Sequence, residues 1–358
     1  MASIAKRRNG KWLARYRDEA GKEFSRQFDR KIDGQRWLDE VTTSVVTGMY
    51  VDPNAGKVTF RAFADDWLSI QPHRPSTALK YEQALRRNIY PAIGDRPLAS
   101  IRPSHIQAMV ATLNTRLAPA TVRFAHTVTS SVFKAAIMDR RMTLNPATRV
   151  RLPEVHEDEV VIITTEQVLA IQQALPSQWR AIVALGAGVG LRQGEALGVT
   201  LDRINFLKRQ LRVDRQEINL AGETPHLAPV KTKASVRTIP LPTVVLDTLA
   251  AHIAEYRPGD DPIFGMVSRQ QFGRVWRTAV RRAGLPGLGF HALRHYYASL
   301  LIRHGESVKT VQARLGHANA TETLNTYTHL WPDSEDRTRA AVDDVLGTAA
   351  DHLRTSSG

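Results

Sequence analysis

The chain has 358 residues, no cysteine and a formal net charge of +14. This length predicts two to three domains. The lack of cysteine excludes disulfides and thiolate metal sites and fits a reducing cytosol. The sequence has neither the run of about 18 apolar residues that a membrane span needs nor the apolar core of a signal peptide. We therefore expect a cytoplasmic protein, and basic proteins of this size most often bind nucleic acid or an anionic surface.

The positive charge is concentrated in the first part of the chain. Residues 1–57 carry a net charge of +4, residues 58–153 carry +9 and residues 154–358 carry +1. We expect the first two segments to bind an acidic polymer, whereas bulk charge does not define the role of the third.

Residues 1–50 have the pattern of a small β-rich module that ends in a helix. In a first strand, residues 12, 14 and 16 are predicted to face one side, and Leu13, Arg15 and Arg17 the other. A turn is predicted at 18–21 and a second strand at 23–28. Asp33 is the candidate N-cap of a helix that reaches Val46. Because the first 17 residues contain six Lys/Arg and no acid, we favour a DNA-contacting sheet over a merely solvated sheet edge. The candidate DNA contacts are Lys6, Arg7, Arg8, Lys11, Arg15 and Arg17.

Residues 50–57 are predicted to be a linker, and helical spacing of apolar residues begins at Thr59. Helices are predicted at 60–70, 75–90, 103–113 and 119–138, with Pro91 ending the second of them. In this helical segment the candidate phosphate contacts are arginines, although any one of them alone is more often simply solvated. They are Arg86, Arg87, Arg123, Arg140 and Arg141.

The third segment opens with an acidic linker at 154–159 and a predicted capping box from Thr164 to Gln167. Further helices are predicted at 166–174, 180–190, 242–256, 268–283 and 308–315. Two strands, at 201–216 and 227–240, are separated by a turn at 219–223. A last helix is expected to begin near Asp333 and to fray toward the C-terminus.

The residues of this segment suit chemistry on a phosphodiester. His291 and Arg294 are three residues apart and share one face of a predicted helix, and His317 and Tyr327 follow. Arginine binds phosphate oxygens bidentately and stays charged, histidine exchanges a proton near pH 7, and tyrosine is a covalent nucleophile once it is helped to ionise. Each histidine alone is more often a core residue, so the combination carries the interpretation.

Two basic residues lie upstream of this set. Arg192 ends an apolar helix and needs a partner, which is either Glu195 or a ligand phosphate. Lys231 lies between two apparent strands, where a lysine is usually solvated.

Four motifs, GLRQGEALGV, PVKTKASVRTIPL, HALRHYYAS and LGHANATETLNTYTHL, resemble in order the four boxes of the tyrosine recombinases, the phage integrase family. The resemblance implies a mainly α fold with small β elements (α+β) and three domains. These are an arm-type DNA-binding module with linker at 1–57, a helical core-binding domain at 58–153 and a catalytic domain at 154–345, followed by a tail at 346–358.

The resemblance also implies the role of each residue. Tyr327 is the nucleophile that forms a 3′-phosphotyrosyl link. The other implied catalytic residues are the phosphate-clamping arginines Arg192 and Arg294, the general acid Lys231, His291 as the group that assists deprotonation of the tyrosine, and His317 as a phosphate contact. Lys233 remains an alternative to Lys231, and Tyr296 and Tyr297 are rival tyrosines. No cofactor and no metal are expected.

The expected partners are double-stranded DNA with core and arm sites and a homotetramer on that DNA, in the cytoplasm of a bacterial host. An accessory DNA-bending protein and an excisionase are candidate partners. The alternatives are a chromosome or plasmid dimer resolvase, a type IB topoisomerase-like enzyme and a DNA-binding regulator with an inactive site. The module at 1–57 argues against the resolvase, and the presence of all six expected catalytic side chains argues against the inactive regulator.

Overall fold

A computed structural model describes residues 2–17, 21, 23–46, 55–155, 161–219 and 223–330. The chain divides into two compact units, Met1–Glu157 and Asp158–Gly358. The predicted helix after Asp333 lies outside the described residues, as do most of the 50–57 linker, most of the acidic linker and the centres of both predicted turns. The three-domain division at 57 and 153 stays a prediction. Within the described ranges, no helix is long and apolar enough to cross a membrane.

The N-terminal module is a three-stranded antiparallel sheet in the order β1 (Ser3–Lys6), β2 (Trp12–Arg17) and β3 (Glu23–Phe28), followed by helix α1 (Lys31–Val46). The predicted alternation is confirmed for residues 14–17, where Tyr16 is buried and Arg15 and Arg17 are exposed, but Leu13, predicted on the side of the arginines, is buried as well. Tyr16 packs edge-on against Trp37 of α1, with ring centroids 5.3 Å apart. The prediction that Asp33 caps the helix is wrong. The helix begins at Lys31, and Asp33 in its first turn accepts a hydrogen bond from Arg30 (Nε–Oδ2 2.9 Å).

The helical segment contains α2 (Phe60–Ser69), α3 (Pro75–Ala84), a π-helix (Leu85–Gly94), α4 (Pro103–Asn114) and α5 (Pro119–Met138). The predicted stop at Pro91 is wrong, because α3 runs directly into the π-helix and continues past the proline to Gly94. An α-helical proline clashes with the carbonyl four residues back. The wider π-turn, whose hydrogen bonds span five residues, accommodates it.

The second unit combines helices with two small antiparallel sheets, one of three strands and one of two strands. Its helices within the described ranges are α6 (Thr165–Ala174), α7 (Ser177–Ala187), α8 (Gln193–Leu197), α9 (Thr243–Tyr256), α10 (Arg269–Arg282), α11 (His291–Arg303), α12 (Val308–Leu315) and α13 (Ala320–Tyr327). Its strands are β4 (Ile204–Asn205), β5 (Gln210–Val213), β6 (Arg215–Ile218), β7 (His226–Pro229) and β8 (Arg237–Pro240). The predicted capping box is confirmed at Thr164 and Gln167.

Both long strands predicted in this unit are broken. The first starts as a 3-10 helix (Leu201–Arg203) and reverses after β4, where the side chain of Asn205 accepts a hydrogen bond from the backbone of Lys208. The second is interrupted by a 3-10 helix (Lys233–Ser235) that Thr232 caps, its hydroxyl accepting from the amide of Ser235 at 3.2 Å. Short polar side chains that bond nearby backbone compete with strand pairing in this way.

Helix α11 is held close against α7 in the main core. A Cβ at Gly186 of α7 would lie 2.7 Å from Leu293 Cδ1, so the helices approach at a position where only glycine fits. A second, smaller cluster joins α11, α12 and α13 and contains Tyr297, Val311, Leu315 and Tyr327. The helices that carry His291, Arg294 and Tyr327 and the helix that precedes His317 are therefore packed together.

Candidate active site

A cavity of about 290 Å³ opens where α8, the β7–β8 connection, α11 and α13 meet. Three of the six predicted catalytic residues line it, and its lining includes Arg192, Lys231, His291, Arg269, Gly316 and Glu322. Lys233, the alternative lysine, does not line it, because the capped 3-10 turn breaks the strand that would have placed both lysines on one side. Arg294, His317 and Tyr327 are buried and do not line the cavity.

Arg192 is held by a buried carboxylate. Its Nη1 lies 3.1 Å from Glu195 Oε1, and its backbone amide donates to Glu195 Oε2, also at 3.1 Å. Arg237, which was not predicted, contacts the same carboxylate, with Nη2–Oε2 at 2.8 Å and Nη1–Oε1 at 3.3 Å. The Arg192 side chain keeps 34% exposure, so the cation that lines the cavity is fixed in place from behind.

The charge state of Glu195 follows from these contacts. Burial favours the neutral acid, but the hydrogen bonds and charge of Arg237, and then of Arg192, outweigh burial and lower the pKa of Glu195. Both choices that the sequence left open for Arg192, a carboxylate partner or a ligand phosphate, are therefore compatible. Glu195 contacts Nη1 of the Arg192 guanidinium, and the side chain still lines the cavity, where it can bind a phosphate.

Arg294 is fully buried. Nη1 donates to the carbonyl of Gly190 at 2.8 Å and Nη2 to the carbonyl of Leu315 at 2.6 Å, while Nε has no hydrogen-bond partner among the described residues. Burial and the charge of Arg192 lower its pKa, which stays well above neutral. The side chain is a buried cation beneath the cavity, tying the turn after α7 to the end of α12.

His317 follows Gly316, whose left-handed backbone (φ 67) ends α12 as predicted. The ring is buried, and burial and the charge of Arg294 lower its pKa to about 3. The neutral ring lies 3.5 Å from Glu322 through Nε2 and 2.8 Å from the Thr323 hydroxyl through Nδ1. Because a carboxylate only accepts, Nε2 carries the hydrogen and the Thr323 hydroxyl donates to Nδ1. His317 thus anchors the first turn of α13.

Tyr327, the predicted nucleophile, is the last residue of α13 and is 1% exposed. Its hydroxyl is 2.8 Å from Nδ1 of His295, not of His291, the residue predicted to assist its deprotonation. Burial raises the pKa of Tyr327 to about 12, although the charge of Arg294 opposes this. The hydroxyl is therefore protonated and withdrawn from the cavity.

His295 is the second unpredicted residue of the site. It lies one turn after His291 on α11, with the two rings 4.6 Å apart and nearly perpendicular. Burial and the charge of Arg294 lower the pKa of His295 to about 4, and burial and the charge of His295 lower that of His291. The HALRHYYAS motif contains both histidines, but spacing alone did not indicate which one reaches the tyrosine.

The rival tyrosines have packing roles. Tyr296 is buried in the main core, and its hydroxyl lies 2.8 Å from the hydroxyl of Thr165. Tyr297 is buried in the smaller cluster, where burial raises its pKa. Neither lines the cavity.

Two further cavity residues were not predicted. Arg269, at the start of α10, packs so closely on α8 that a Cβ at Gly194 would lie 2.1 Å from its Nη2. Glu322 adds a second carboxylate to the lining, besides that of Glu195.

The predicted DNA contacts of the first unit are all exposed. In the sheet module, Lys11 pairs with Asp29 at 3.3 Å, and Arg15 and Arg17 both approach Glu23, at 3.6 and 3.5 Å. Lys6 lies over the Trp12 ring, and Arg7 and Arg8 are in the β1–β2 connection. In the helical segment, Arg86 and Arg87 are in the π-helix, Arg123 is in α5, and Arg140 and Arg141 directly follow α5. Their contact with DNA stays a prediction.

A cavity lined by Arg192 and Lys231, beside a buried arginine and a histidine-bonded tyrosine, suits covalent chemistry on a phosphodiester. Comparison with known proteins agrees with this chemistry. Residues 161–333 match the model of the phage integrase family, and residues 60–153 match that of the phage integrase central domain. The chain belongs to the phage integrase family of tyrosine recombinases.

Individual relatives are distant but cover most of the chain. The tyrosine recombinase XerC-like protein of Caldanaerobacter subterraneus is 28% identical over 92% of this chain and 94% of its own. The integrase of Mycobacterium phage D29 is 25% identical, with 82% of each chain covered. The Tn1549 transposon integrase, solved with transposon right end DNA, has a TM-score of 0.70 at 20% identity, covering 81% of this chain and 100% of that one. A lambda integrase dimer bound to a COC′ core site has a TM-score of 0.59 at 22% identity, covering 92% and 96%. The predicted fold class is confirmed.

Proposed function

We propose that this protein integrates or excises a phage or another mobile element by cutting and rejoining double-stranded DNA at specific sites. The observation that carries the proposal is the position of Tyr327. It is hydrogen-bonded to α11, the helix whose first residue, His291, lines a cavity together with Arg192 and Lys231.

The chemistry assigned to the site is transfer of a phosphodiester to Tyr327. Oη attacks phosphorus, the bond to the 5′ oxygen breaks, and the 5′ oxygen takes a proton from Lys231. Arg192 binds the non-bridging oxygens, and the buried charge of Arg294 offsets the negative charge that grows on them. The 5′-hydroxyl of a partner strand then reverses the step, so the phosphodiester energy is kept in the covalent link.

Two groups must move before this reaction. Tyr327 is 1% exposed and is outside the cavity lining, so α13 has to shift to bring Oη to the phosphate. Glu322 lines the cavity and would repel a phosphate, and the same shift of α13 removes it. His317 would then have Nε2–H available for a phosphate oxygen, and His291 already lines the phosphate site.

We assign binding of the DNA duplex to the first unit and binding of the scissile phosphate to the cavity. The sheet module at 1–57 would bind arm sites and the helical segment at 58–153 would bind core sites, which suits their charges of +4 and +9. Relatives solved as a dimer on a core site and as a tetramer on a Holliday junction support a tetramer on two duplexes. A DNA-bending protein and an excisionase are candidate accessory partners.

A dimer resolvase is the second candidate, and the XerC-like relative favours it. The sheet module and the phage integrases among the relatives favour integration. The reaction itself is tested with a nicked suicide duplex that carries the element's core site. The wild-type protein should form a covalent adduct, and Tyr327→Phe should form none. An adduct with Tyr327→Phe, or none with the wild type on core sites from either element end, contradicts the proposal.

A further inference from the structure

His295 connects the cavity to the nucleophile. Its Nδ1 is 2.8 Å from the Tyr327 hydroxyl, and its ring packs edge-on to that of His291, 4.6 Å away. His291 lines the cavity and His295 does not. His291 therefore faces the phosphate site, and His295 faces the tyrosine.

The direction of the hydrogen bond follows from the groups around it. His295 is largely buried, Arg294 is adjacent on α11, His291 is one turn away, and the neutral phenol of Tyr327 contacts the ring from α13. This surrounding disfavours a charged imidazole, so His295 has one N–H. A phenol is a better donor than acceptor, so Tyr327 donates to Nδ1 and the hydrogen of His295 is on Nε2.

We propose that His295 is the residue that positions the Tyr327 hydroxyl and accepts its proton when the tyrosine attacks the scissile phosphate. This inference rests on the proposed function and changes the assignment of the base from His291 to His295. A base must lie within hydrogen-bond reach of the proton it takes. His295 meets that condition in the unbound protein, and the inference requires that the shift of α13 keep the Tyr327 hydroxyl within reach of Nδ1.

The proton transfer balances within one turnover. As the bond from Oη to phosphorus forms, the proton on Oη moves to Nδ1 and the 5′ oxygen leaves with a proton from Lys231. On rejoining, the incoming 5′-hydroxyl returns a proton to Lys231, and His295 returns its proton to Oη as the phosphotyrosyl bond breaks. His291 remains available to the phosphate throughout.

The same contact explains why Tyr327 is unreactive before DNA binds. The phenol is buried, and burial together with the charge of Arg294 keeps the base beside it neutral, so the tyrosine stays protonated while no DNA is bound. As phosphorus withdraws electrons from Oη in the transition state, the phenol becomes acidic enough for a nearby imidazole to act. His295 thus limits nucleophile activation to the moment of attack.

The inference is tested with His295→Ala and His295→Asn on the suicide duplex. Asparagine can accept the hydrogen bond but cannot hold the proton, so both variants should cleave about 10²–10⁴-fold more slowly than wild type. Raising the pH, or replacing Tyr327 with a fluorinated tyrosine of lower pKa, should restore much of the loss. A loss that neither treatment restores would mean a structural role only, and wild-type rates in both variants would exclude any role; either result overturns the inference.

A second measurement does not depend on cleavage. In ¹⁵N-histidine spectra of the full chain, His295 should show the Nε2–H tautomer, and its Nδ1 signal should move in Tyr327→Phe. A Nδ1–H tautomer, or a signal indifferent to that substitution, contradicts the inference. If the wild type cleaves no core duplex, the proposed function fails while these spectra still decide the His295 contact.

Discussion

Glu195 and Arg237 form a buried, bidentate ion pair that supports the cavity from below. The two side chains are 3% and 6% exposed, with Nη2–Oε2 at 2.8 Å. Arg237 Nε also donates to the carbonyl of Arg314 at 2.8 Å, which ties β8 to the end of α12. One carboxylate therefore fixes both Arg192 and the turn that carries His317.

Replacing Glu195 with glutamine should both destabilise the protein and slow cleavage. Arg237 would be left as a buried cation with no counter-charge, which typically costs about 3–5 kcal/mol of unfolding free energy. Urea unfolding measures this loss, and Asp202→Asn, at an exposed carboxylate of the same unit, should cost about 1 kcal/mol or less. Equal losses in the two variants would contradict the proposed role of Glu195.

The same pair predicts a pH dependence of stability. The pKa of Glu195 is lowered in the folded protein, so its ionised form stabilises the fold above the ordinary glutamate pKa of about 4.3. That contribution is lost progressively as pH falls through the lowered pKa. The stability difference between the wild type and Glu195→Gln, measured by urea unfolding, should therefore shrink on acidification below about pH 4.3. A difference that stays constant from pH 7 to acid would show that the charge of Glu195 is not what stabilises the fold.

Arg192→Lys should lose most of the cleavage rate while remaining folded. Lysine cannot offer the planar pair of donors that a guanidinium presents to a phosphate, and loss of one preorganised donor costs about 10²–10³-fold in rate. Single-turnover cleavage of the suicide duplex measures the effect, with Arg282→Lys on the exposed face of α10 as the matched control. A similar cleavage rate for Arg192→Lys and the wild type would show that Arg192 does not bind the scissile phosphate.

Lys231 and Lys233 are separated by a leaving-group experiment. Lys231→Met should slow cleavage by about 10²–10⁴-fold, because the 5′ oxygen would leave without a proton. A duplex with sulfur in place of that oxygen should restore the rate, since a thiolate needs no proton to leave. Lys233→Met, two residues away and outside the cavity lining, is the control and should cleave like the wild type. If Lys233→Met cleaved slowly and was rescued by sulfur while Lys231→Met cleaved like the wild type, Lys233 would be the general acid.

Core binding should weaken steeply with salt because the helical segment contacts phosphates. Each such contact releases counterions, so replacing Arg123, Arg140 and Arg141 with alanine should lower the slope of log affinity against log salt by about one unit per lost contact. An unchanged slope would contradict the assignment of phosphate contacts to the helical segment.

Deletion of residues 1–57 should abolish binding at arm sites and spare cleavage at the core. Loss of core cleavage after the deletion would contradict the assignment of arm binding to this module.

Local signals in the sequence predicted much of the fold. The capping box at Thr164 and the glycine at 316 fix helix ends through contacts within a few residues, and both are confirmed. The breaks in the two long strands could not be predicted from apolar alternation, because they depend on side-chain to backbone bonds of Asn205 and Thr232. The same holds for the π-helix that accommodates Pro91.

Packing decides which of the predicted catalytic residues reach the cavity. Arg192, Lys231 and His291 line it, whereas the other three do not. The partner of Tyr327 depends on how α13 packs on α11 across 32 residues of sequence, and the spacing inside HALRHYYAS does not encode that. The position of Glu322 in the cavity and the complete burial of Arg294 are likewise properties of packing.

The central claim, that Tyr327 is the residue joined to DNA, is tested most directly by mapping the covalent adduct. The wild-type adduct would be trapped on the suicide duplex, digested with protease and nuclease, and sequenced by mass spectrometry. We predict that the nucleotide remnant is on the phenolic oxygen of Tyr327. A remnant on Tyr296, on Tyr297 or on any other residue would contradict the account.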